Sequence, residues 1–410
     1  MKQSLLPSYS SKYSWLIVAM LWIVAMLNYF DRLLITSMHD PIMGDIRMTE
    51  TQFGLLTAVF LWIYGVLSPF GGYFADKYSR KWMIVGSLLV WSLVTTWTGY
   101  ANSFTEILIA RALMGISEAC YIPAALAMIT DYHTKSSRSL AIGIHSSGLY
   151  AGMVLGGLGG FIADLWGWRW GFQLFGIIGV TYAIILILAL KDYKKKGIKK
   201  EENKEERINA IDSLKNVFGI PSFYLLLVYN SIIGAAFWVI YAWLPLFLQK
   251  SFNLSLGEAG ISATAYIQIA SLGGVLLGGV LSDRWVNLKP KGRIYTLVLG
   301  ITIGCPFFFL LGITQLFWLA IVCMVIFGLS RGFHDSNLMP ILCQVVDKRY
   351  RGTGFGILNF FSTIIGGIMV YIGGIIMDAD INISLIFQIS ALVLLIGSWS
   401  LMLIKPASNE

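Results

Sequence analysis

Apolar runs of about 20 residues, separated by short polar breaks, recur along most of the chain. As a helix, a run of this length crosses the hydrocarbon core of a bilayer. The pattern therefore predicts twelve membrane-spanning helices. The predicted spans are residues 14–38, 51–75, 82–100, 104–130, 139–163, 168–190, 222–249, 257–282, 294–313, 316–341, 352–377 and 382–404.

Composition supports the membrane interpretation. The 410 residues are 57% hydrophobic and 13% charged, with a mean hydropathy of +0.72. A soluble domain carries roughly 25% charged residues, so we expect an all-α membrane protein. The first residues lack a small-residue cleavage site, and the apolar run after them is too long for a signal peptide. We therefore expect no cleaved leader.

Lysine and arginine collect on one side of the predicted spans, the side that carries both chain ends. The opposite loops hold only Arg47, Arg169 and Lys250. By the positive-inside rule, both termini are predicted to be cytoplasmic. The net charge of +8 then reflects topology and contact with anionic lipid, and we expect no nucleic-acid partner.

One long polar segment, residues 191–221, divides the chain into predicted six-span bundles at 1–190 and 222–410. A short amphipathic helix is expected near its end, at 208–218. The two halves share sequence patterns. "GGYFADKYSRK" (71–81) matches "GGVLSDRW" (278–285), and "GISEACYIP" (115–123) matches "GFHDSNLMP" (332–340). Two parallel copies of a six-span unit are typical of alternating-access transporters, which bind substrate near the midplane.

The loop segment 71–81 resembles the signature between spans two and three of the major facilitator superfamily, and the copy at 278–285 falls where that superfamily repeats it. The resemblance implies the major facilitator fold, two pseudo-symmetric six-helix bundles. It also implies that ion pairs in these loops gate the cytoplasmic side. The alternative is a static anchor of positive charge. The gating candidates are Gly72, Asp76, Arg80, Lys81, Asp283 and Arg284.

Two apolar spans of the N-terminal half carry charges well inside them: Asp31 and Arg32 in the first, Arg111 and Glu118 in the fourth. Seven residues make about two helical turns, so Arg111 and Glu118 share one face. An isolated charge in hydrocarbon is disfavoured by a few kcal/mol or more. We therefore expect one cluster of two guanidiniums and two carboxylates in the N-terminal half. The alternative is a permanent salt bridge that joins spans one and four.

Such a cluster can link anion binding to proton binding. Arginine stays charged, whereas a low-dielectric site favours the neutral form of a carboxyl group. An incoming anion can compete with Asp31 or Glu118 for Arg32 or Arg111. The displaced carboxylate then takes a proton.

"NYFDR" in span one with "RALMGISEA" in span four resembles the anion:cation symporter family of sugar-acid and organic-anion carriers. The resemblance implies that Arg32 and Arg111 bind the substrate carboxylate, that Asp31 and Glu118 carry protons, and that Asn359 faces sugar hydroxyls. Spinster-like lysolipid carriers share the same two motifs. "WLPLFL" in span seven and "GWRWGF" before span six favour the sugar-acid carriers.

Span ten departs from that family pattern with "SRGFHDSNLMP". Arg331 and Asp335 are four residues apart and can pair on one helix face. With His334 and Asn337 they form either a second polar wall for a larger acidic sugar or an internally satisfied bridge. Asp335 is a further candidate for proton coupling. Other candidates for lining the cavity are Asn28, Tyr29, Tyr64, Tyr121, His145, Tyr241 and Gln268.

The sequence as a whole predicts a monomeric bacterial inner-membrane carrier that takes up an organic anion with protons. The expected substrate is an acidic sugar of the hexuronate, aldonate or sialic acid type. We expect no cofactor and no metal, and sodium is the alternative coupling ion. An enzyme is not expected, since neither a G-x4-G-K-[ST] phosphate loop nor an H-E-x-x-H pair occurs. The rivals are a Spinster-like lysolipid carrier, a neutral sugar or oligosaccharide carrier, and a non-transporting receptor.

Overall fold

A computed structural model describes residues 11–134, 136–192 and 210–404. This part of the chain is helical, and 3-10 turns at Ile35–Met38 and Leu401–Leu403 extend two of the helices. Most of the predicted linker lies outside the described residues. The α-helices are α1 Ser11–Leu34, α2 His39–Asp45, α3 Glu50–Lys77, α4 Arg80–Thr98, α5 Phe104–Glu118, α6 Tyr121–Tyr132, α7 Arg138–Gly156, α8 Gly159–Trp166, α9 Trp168–Ala189, α10 Ala210–Phe218, α11 Pro221–Phe252, α12 Leu256–Val286, α13 Gly292–Leu311, α14 Phe317–Val345, α15 Arg351–Asp378 and α16 Ser384–Ser400.

All twelve predicted segments are helical, and α10 corresponds to the amphipathic helix expected at the end of the linker. Within the described residues, eleven helical segments are long and apolar enough to cross a membrane. The 19-residue α4 is not among them. Its first turn begins with Arg80 and Lys81, which lower its mean hydropathy. The prediction of an all-α membrane protein is confirmed, whereas the number of twelve spans stays a prediction.

Two predicted spans each consist of two α-helices joined by a two-residue turn. The fourth consists of α5 and α6, and the fifth of α7 and α8. The turn residues keep right-handed helical backbone angles, so each pair continues as one helical segment. Pro123 follows the first turn; it has no backbone N–H and cannot donate to the carbonyl of Ala119. Glu118, the last residue of α5, lies buried beside this turn.

Helix packing repeats between the two halves of the chain. Helix α1 packs against α7, α3 against α5 and α4 against α9. In the second half, α11 packs against α15, α12 against α14 and α13 against α16. The halves meet where α3 packs on α15 and where α7 and α8 pack on α12. The sequence repeat therefore corresponds to a repeat of helix pairing.

Glycines allow the closest helix contacts. A Cβ at Gly148 or Gly152 of α7 would collide with the carbonyls of Trp22 or Met26 in α1. Only a residue without a side chain permits this approach.

The molecule has two ends, which we call the terminal side and the far side. The terminal side carries residues 11 and 404 and the connection between α3 and α4. The far side carries the connections from α2 to α3, α11 to α12 and α15 to α16. At the far side, Asp378 of α15 accepts hydrogen bonds from the backbone N–H groups of Glu50 and Thr51, both at 2.9 Å. These contacts join the two halves at the far side.

Candidate functional site

Arg32 and Glu118 form a buried ion pair between the first and fourth predicted spans. Arg32 lies near the end of α1, and Glu118 is the last residue of α5. The Nε of Arg32 lies 2.6 Å from Oε2 of Glu118, and the two side chains are 2% and 0% exposed. A contact this short is a charge-assisted hydrogen bond. The pair is the centre of the candidate site.

Three aromatic rings surround the guanidinium of Arg32. Its Cζ lies 4.6 Å from the ring centre of Tyr29, 4.4 Å from that of Tyr64 and 5.2 Å from that of Phe60. A cation near such rings is attracted by their quadrupoles. Arg32 therefore keeps favourable partners when its carboxylate partner is exchanged.

Arg111 lies on the other side of this cluster and is held differently. Its Cζ is 4.8 Å from the centre of the same Phe60 ring, so the two guanidinium carbons lie within about 10 Å of each other. Its Nε donates to the carbonyl of Leu56 at 3.2 Å, and Nη1 contacts the sulfur of Met114 at 3.2 Å. The side chain is buried. Arg111 is thus anchored to α3 and to its own helix.

Asp31 does not pair with its neighbour Arg32. Successive helical residues point about 100° apart, and Asp31 faces α4, where the hydroxyl of Thr95 donates to Oδ2 at 3.4 Å. The acid in contact with Arg32 is Glu118. The expected cluster of two guanidiniums and two carboxylates therefore consists of one ion pair with two further buried charges near it.

Several buried polar atoms in this region have no hydrogen-bond partner among the described residues. Such atoms are rare in folded proteins, because an unsatisfied buried group is unfavourable. Those that lie around the Arg32–Glu118 pair are candidates for contact with a polar ligand. The atoms are Nδ2 and Oδ1 of Asn28, Oδ1 of Asp31, Nη2 of Arg32, Nη2 of Arg111 and Oε1 of Glu118.

A second polar group lies in the C-terminal half. The Nε of Arg331 is 3.4 Å from Oδ2 of Asp335, one helical turn away, as the spacing predicts. Nη1 of Arg331 donates to Oε1 of Gln268 at 3.1 Å, and Nε2 of Gln268 donates to the hydroxyl of Tyr241 at 2.9 Å. Four candidates from three helices therefore form one network.

This network reaches the N-terminal half through Tyr150 and Tyr29. The hydroxyl of Tyr150 donates to Oδ2 of Asp335 at 2.9 Å. Tyr29 packs against the cluster of Leu33, Met153 and Tyr241, and it interacts electrostatically with both Arg32 and Arg331. The two polar groups thus face each other across the interface between the halves. Sequence reasoning missed Tyr150, which lies in a glycine-rich segment that carries a packing signal.

Of five other candidates, four are bonded within their own bundles. The Tyr121 hydroxyl lies 3.0 Å from Nε2 of His145 and donates to the Leu21 carbonyl at 2.8 Å. Nδ1 of His334 is 3.0 Å from the Tyr229 hydroxyl. No hydrogen bond found in the described part of the chain links these groups to Arg32. The two remaining candidates are Asn337, whose Nδ2 donates to Phe333 in its own helix at 2.9 Å, and Asn359, which is half-buried on α15.

The loop residues proposed as gates contact helices of their own half. Arg80 pairs with Asp131 and donates to the Ala127 carbonyl at 3.1 Å, and Lys81 Nζ donates to Ile187 at 2.7 Å. Asp283 pairs with Arg293 at 2.9 Å. These contacts fit the anchoring alternative, and gating stays a prediction. Of the other gating candidates, Gly72 has open space where a Cβ would lie, Arg284 is exposed, and the side chain of Asp76 lies outside the described part.

Comparison with known proteins identifies relatives over most of the chain. Residues 21–370 match the family described as Major Facilitator Superfamily. The chain is 24% identical over 373 residues to the MFS-type efflux pump of Mycolicibacterium smegmatis, covering 89% of this chain and 85% of that protein. It is 25% identical over 436 residues to the probable galactarate/D-glucarate transporter GudP of Bacillus subtilis, covering 97% and 94%.

The chain also resembles Spinster proteins. It is 28% identical over 315 residues to human protein spinster homolog 1, covering 72% of this chain and 59% of that protein. Among solved structures, it is similar to a bacterial homolog of the human lysosomal transporter Spinster in an inward-facing, occupied conformation. The TM-score is 0.81 at 22% sequence identity, covering 96% of this chain and 97% of that chain. This likeness shows the fold.

Proposed function

Because this chain belongs to the Major Facilitator Superfamily and is an integral, multi-pass membrane protein, we propose that it is a secondary transporter that takes up an organic anion with protons. In this proposal it acts as a monomer in a bacterial inner membrane. Helix α4 also crosses the membrane, which brings the number of spans to twelve, and both termini are cytoplasmic. The distribution of lysine and arginine supports that orientation. The far side is then the outer side, and its closure corresponds to an inward-facing state.

The observation that carries the proposal is the Arg32–Glu118 pair at 2.6 Å. A substrate carboxylate binds the guanidinium of Arg32 in place of Glu118, while Tyr29 and Tyr64 hold the guanidinium in position. Glu118 then lacks its cation in a buried site, where the neutral form of a carboxyl group is favoured. It therefore takes a proton. Substrate and proton then cross together, because the substrate carboxylate pairs with Arg32 and the proton neutralises Glu118.

An acidic sugar fits this arrangement best. One carboxylate engages Arg32 in the N-terminal half. The hydroxyls of the sugar can then reach the amide of Gln268 and the hydroxyl of Tyr241 in the opposite half, which are donors and acceptors already directed toward the interface. The similarity to a probable galactarate/D-glucarate transporter supports this substrate class.

A second candidate substrate is a lysolipid. A groove of about 530 Å³ between α3, α4 and α5 is lined mainly by apolar side chains, among them Phe74, Trp82, Val90 and Ile116. It reaches Ser117, the residue before Glu118. An acyl chain is apolar and fits such a groove, whereas a sugar acid is polar and gains nothing from its apolar lining.

A ligand screen separates these substrates. We would measure the melting temperature of the purified protein with hexuronates, aldonates, sialic acid, neutral sugars and lysolipids. The proposal predicts that sugar acids stabilise the wild type and lose this effect in Arg32→Ala, while the exposed-site control Arg47→Ala behaves as wild type. Stabilisation by lysolipids alone would favour the second candidate. Stabilisation by neutral sugars, unchanged in Arg32→Ala, would contradict an anionic substrate.

A further inference from the structure

His39 is the first residue of α2, and carboxylates contact both nitrogens of its ring. Nδ1 lies 2.7 Å from Oδ1 of Asp40, and Nε2 lies 2.7 Å from Oε2 of Glu50. The residue is 4% exposed, with the rings of Phe53 and Trp243 centred 4.5 and 6.2 Å from its own. This triad lies at the far side, and His39 follows Arg32 by seven residues, about two helical turns, in the same helical segment.

The two contacts require a proton beyond those of a neutral histidine. A neutral imidazole has one N–H, and an ionised carboxylate only accepts hydrogen bonds. Two hydrogen bonds to two carboxylates therefore need either an imidazolium or one protonated carboxyl group. We propose that His39, Asp40 and Glu50 form a second proton-binding site, which is occupied when the far side is closed.

The same acids join the two halves. Gln249 of α11 donates to Oδ2 of Asp40 at 2.9 Å, and Lys250 Nζ lies 3.9 Å from Oε1 of Glu50. Asp378 of α15 accepts from the backbone of Glu50 at 2.9 Å. Separating the two halves at the far side would break these contacts with the C-terminal half.

Geometry explains why the proton favours closure. Closing brings Lys250 and Asp378 to the triad, and their opposite charges largely cancel. The proton instead fixes the two acids. Only with it do Asp40 and Glu50 both bond to the buried ring of His39, in the positions from which they contact Gln249 and Lys250. By linkage, a proton that stabilises the closed arrangement binds more tightly to it.

Water on the far side can reach this site. A cavity of about 740 Å³ is lined by Glu50, Lys250, Asp378 and Asp380, among other residues of α11 and the end of α15. Closing therefore takes up a proton from the far side, and opening returns it there. Acidification shifts the population toward the closed state, by up to about tenfold per pH unit for one proton.

The test is the pH dependence of the distance across the far side. Spin labels are placed on Arg47→Cys and Gln315→Cys, exposed positions in the two halves. The labels are carried by the full chain with its four native cysteines replaced by alanine and without substrate. Double electron–electron resonance spectroscopy then measures the distance between the two labels. The distance distribution gives the closed fraction between about pH 5 and about pH 8, the range in which histidine titrates.

We expect the closed fraction to rise as the pH falls. His39→Gln should remove this dependence, whereas the control His133→Gln at the terminal side should keep it. The Glu50→Gln variant should stay closed at every pH. The amide of Gln can donate to one ring nitrogen of a neutral His39, while the other ring nitrogen donates to Asp40, so both hydrogen bonds form without an added proton. A closed fraction that does not change with pH in the wild type, or that still changes in His39→Gln or Glu50→Gln, would overturn the proposal.

The central pair is tested separately. In Glu118→Gln, the proposal predicts an unchanged pH response of the far side, even if transport coupling is lost. A response that disappears in Glu118→Gln would place the proton at the central site and reject the second one.

Discussion

The hydroxyl of Tyr150 in α7 donates to Asp335 in α14 at 2.9 Å, so a hydrogen bond between the two halves ends on an acid that also pairs with Arg331. A separation of α7 from α14 would break this bond. When the bond to Tyr150 breaks, Asp335 still pairs with Arg331, so Asp335 is not left as an isolated buried charge. The contact thus joins the halves without being required for the stability of either one.

Removing this hydroxyl should shift the conformational equilibrium. We expect Tyr150→Phe to weaken the far-side-closed state by about 1 kcal/mol, a typical net value for one hydrogen bond, and so to raise the open population severalfold. The two-label distance measurement reports this population. Tyr182→Phe is a matched control, because its hydroxyl donates to Met20 within one half. Equal shifts in both variants would show that the Tyr150 contact has no specific role.

Arg32→Lys should weaken substrate binding at least tenfold. Lysine lacks the planar fork that engages a carboxylate and stacks between Tyr29 and Tyr64. Titration calorimetry with the sugar acid found in the screen measures the change. Arg111→Lys should lose mainly stability, since its Nε bonds the Leu56 carbonyl. A larger loss of affinity in Arg111→Lys than in Arg32→Lys would reverse the roles assigned to the two residues.

Gly152→Ala should destabilise the N-terminal bundle by about 1–3 kcal/mol, because the added methyl group collides with the backbone of Met26. Thermal unfolding measures the effect. Gly143 lies on the same helix with nothing within 4 Å of an added Cβ, so Gly143→Ala is a matched control. We expect its melting temperature to equal or exceed that of the wild type. Similar losses in both variants would contradict the packing argument.

The sequence predicted the helices and the charged centre for clear physical reasons. Runs of about 20 apolar residues have few alternatives to a helix in lipid, and charges inside them need partners. The pairing of Arg331 with Asp335 followed from their spacing alone. Which acid pairs with Arg32 could not be predicted, because it depends on the turn after Glu118 and on the rotation of α1.

Other residues were harder to place, because helices in a membrane are apolar on every side. Such helices give little indication of which face is directed toward the interface between the halves. Tyr121 and His145 were predicted to line the cavity; they bond to each other inside the N-terminal bundle, and their contact with substrate stays a prediction. His39 was missed because the first predicted span ended at residue 38, one position before it, whereas the helical segment continues to Asp45.

Uptake into proteoliposomes under an imposed pH gradient tests the central claim most directly. Wild-type protein should accumulate the sugar acid against its concentration gradient, and an equal sodium gradient should not replace the proton gradient. Glu118→Gln should still exchange substrate across the membrane but should not accumulate it, because the acid that alternates between Arg32 and a proton is gone. Asp31→Asn should retain accumulation, since Asp31 is not in contact with Arg32 in the closed state. Full accumulation by Glu118→Gln would contradict the account.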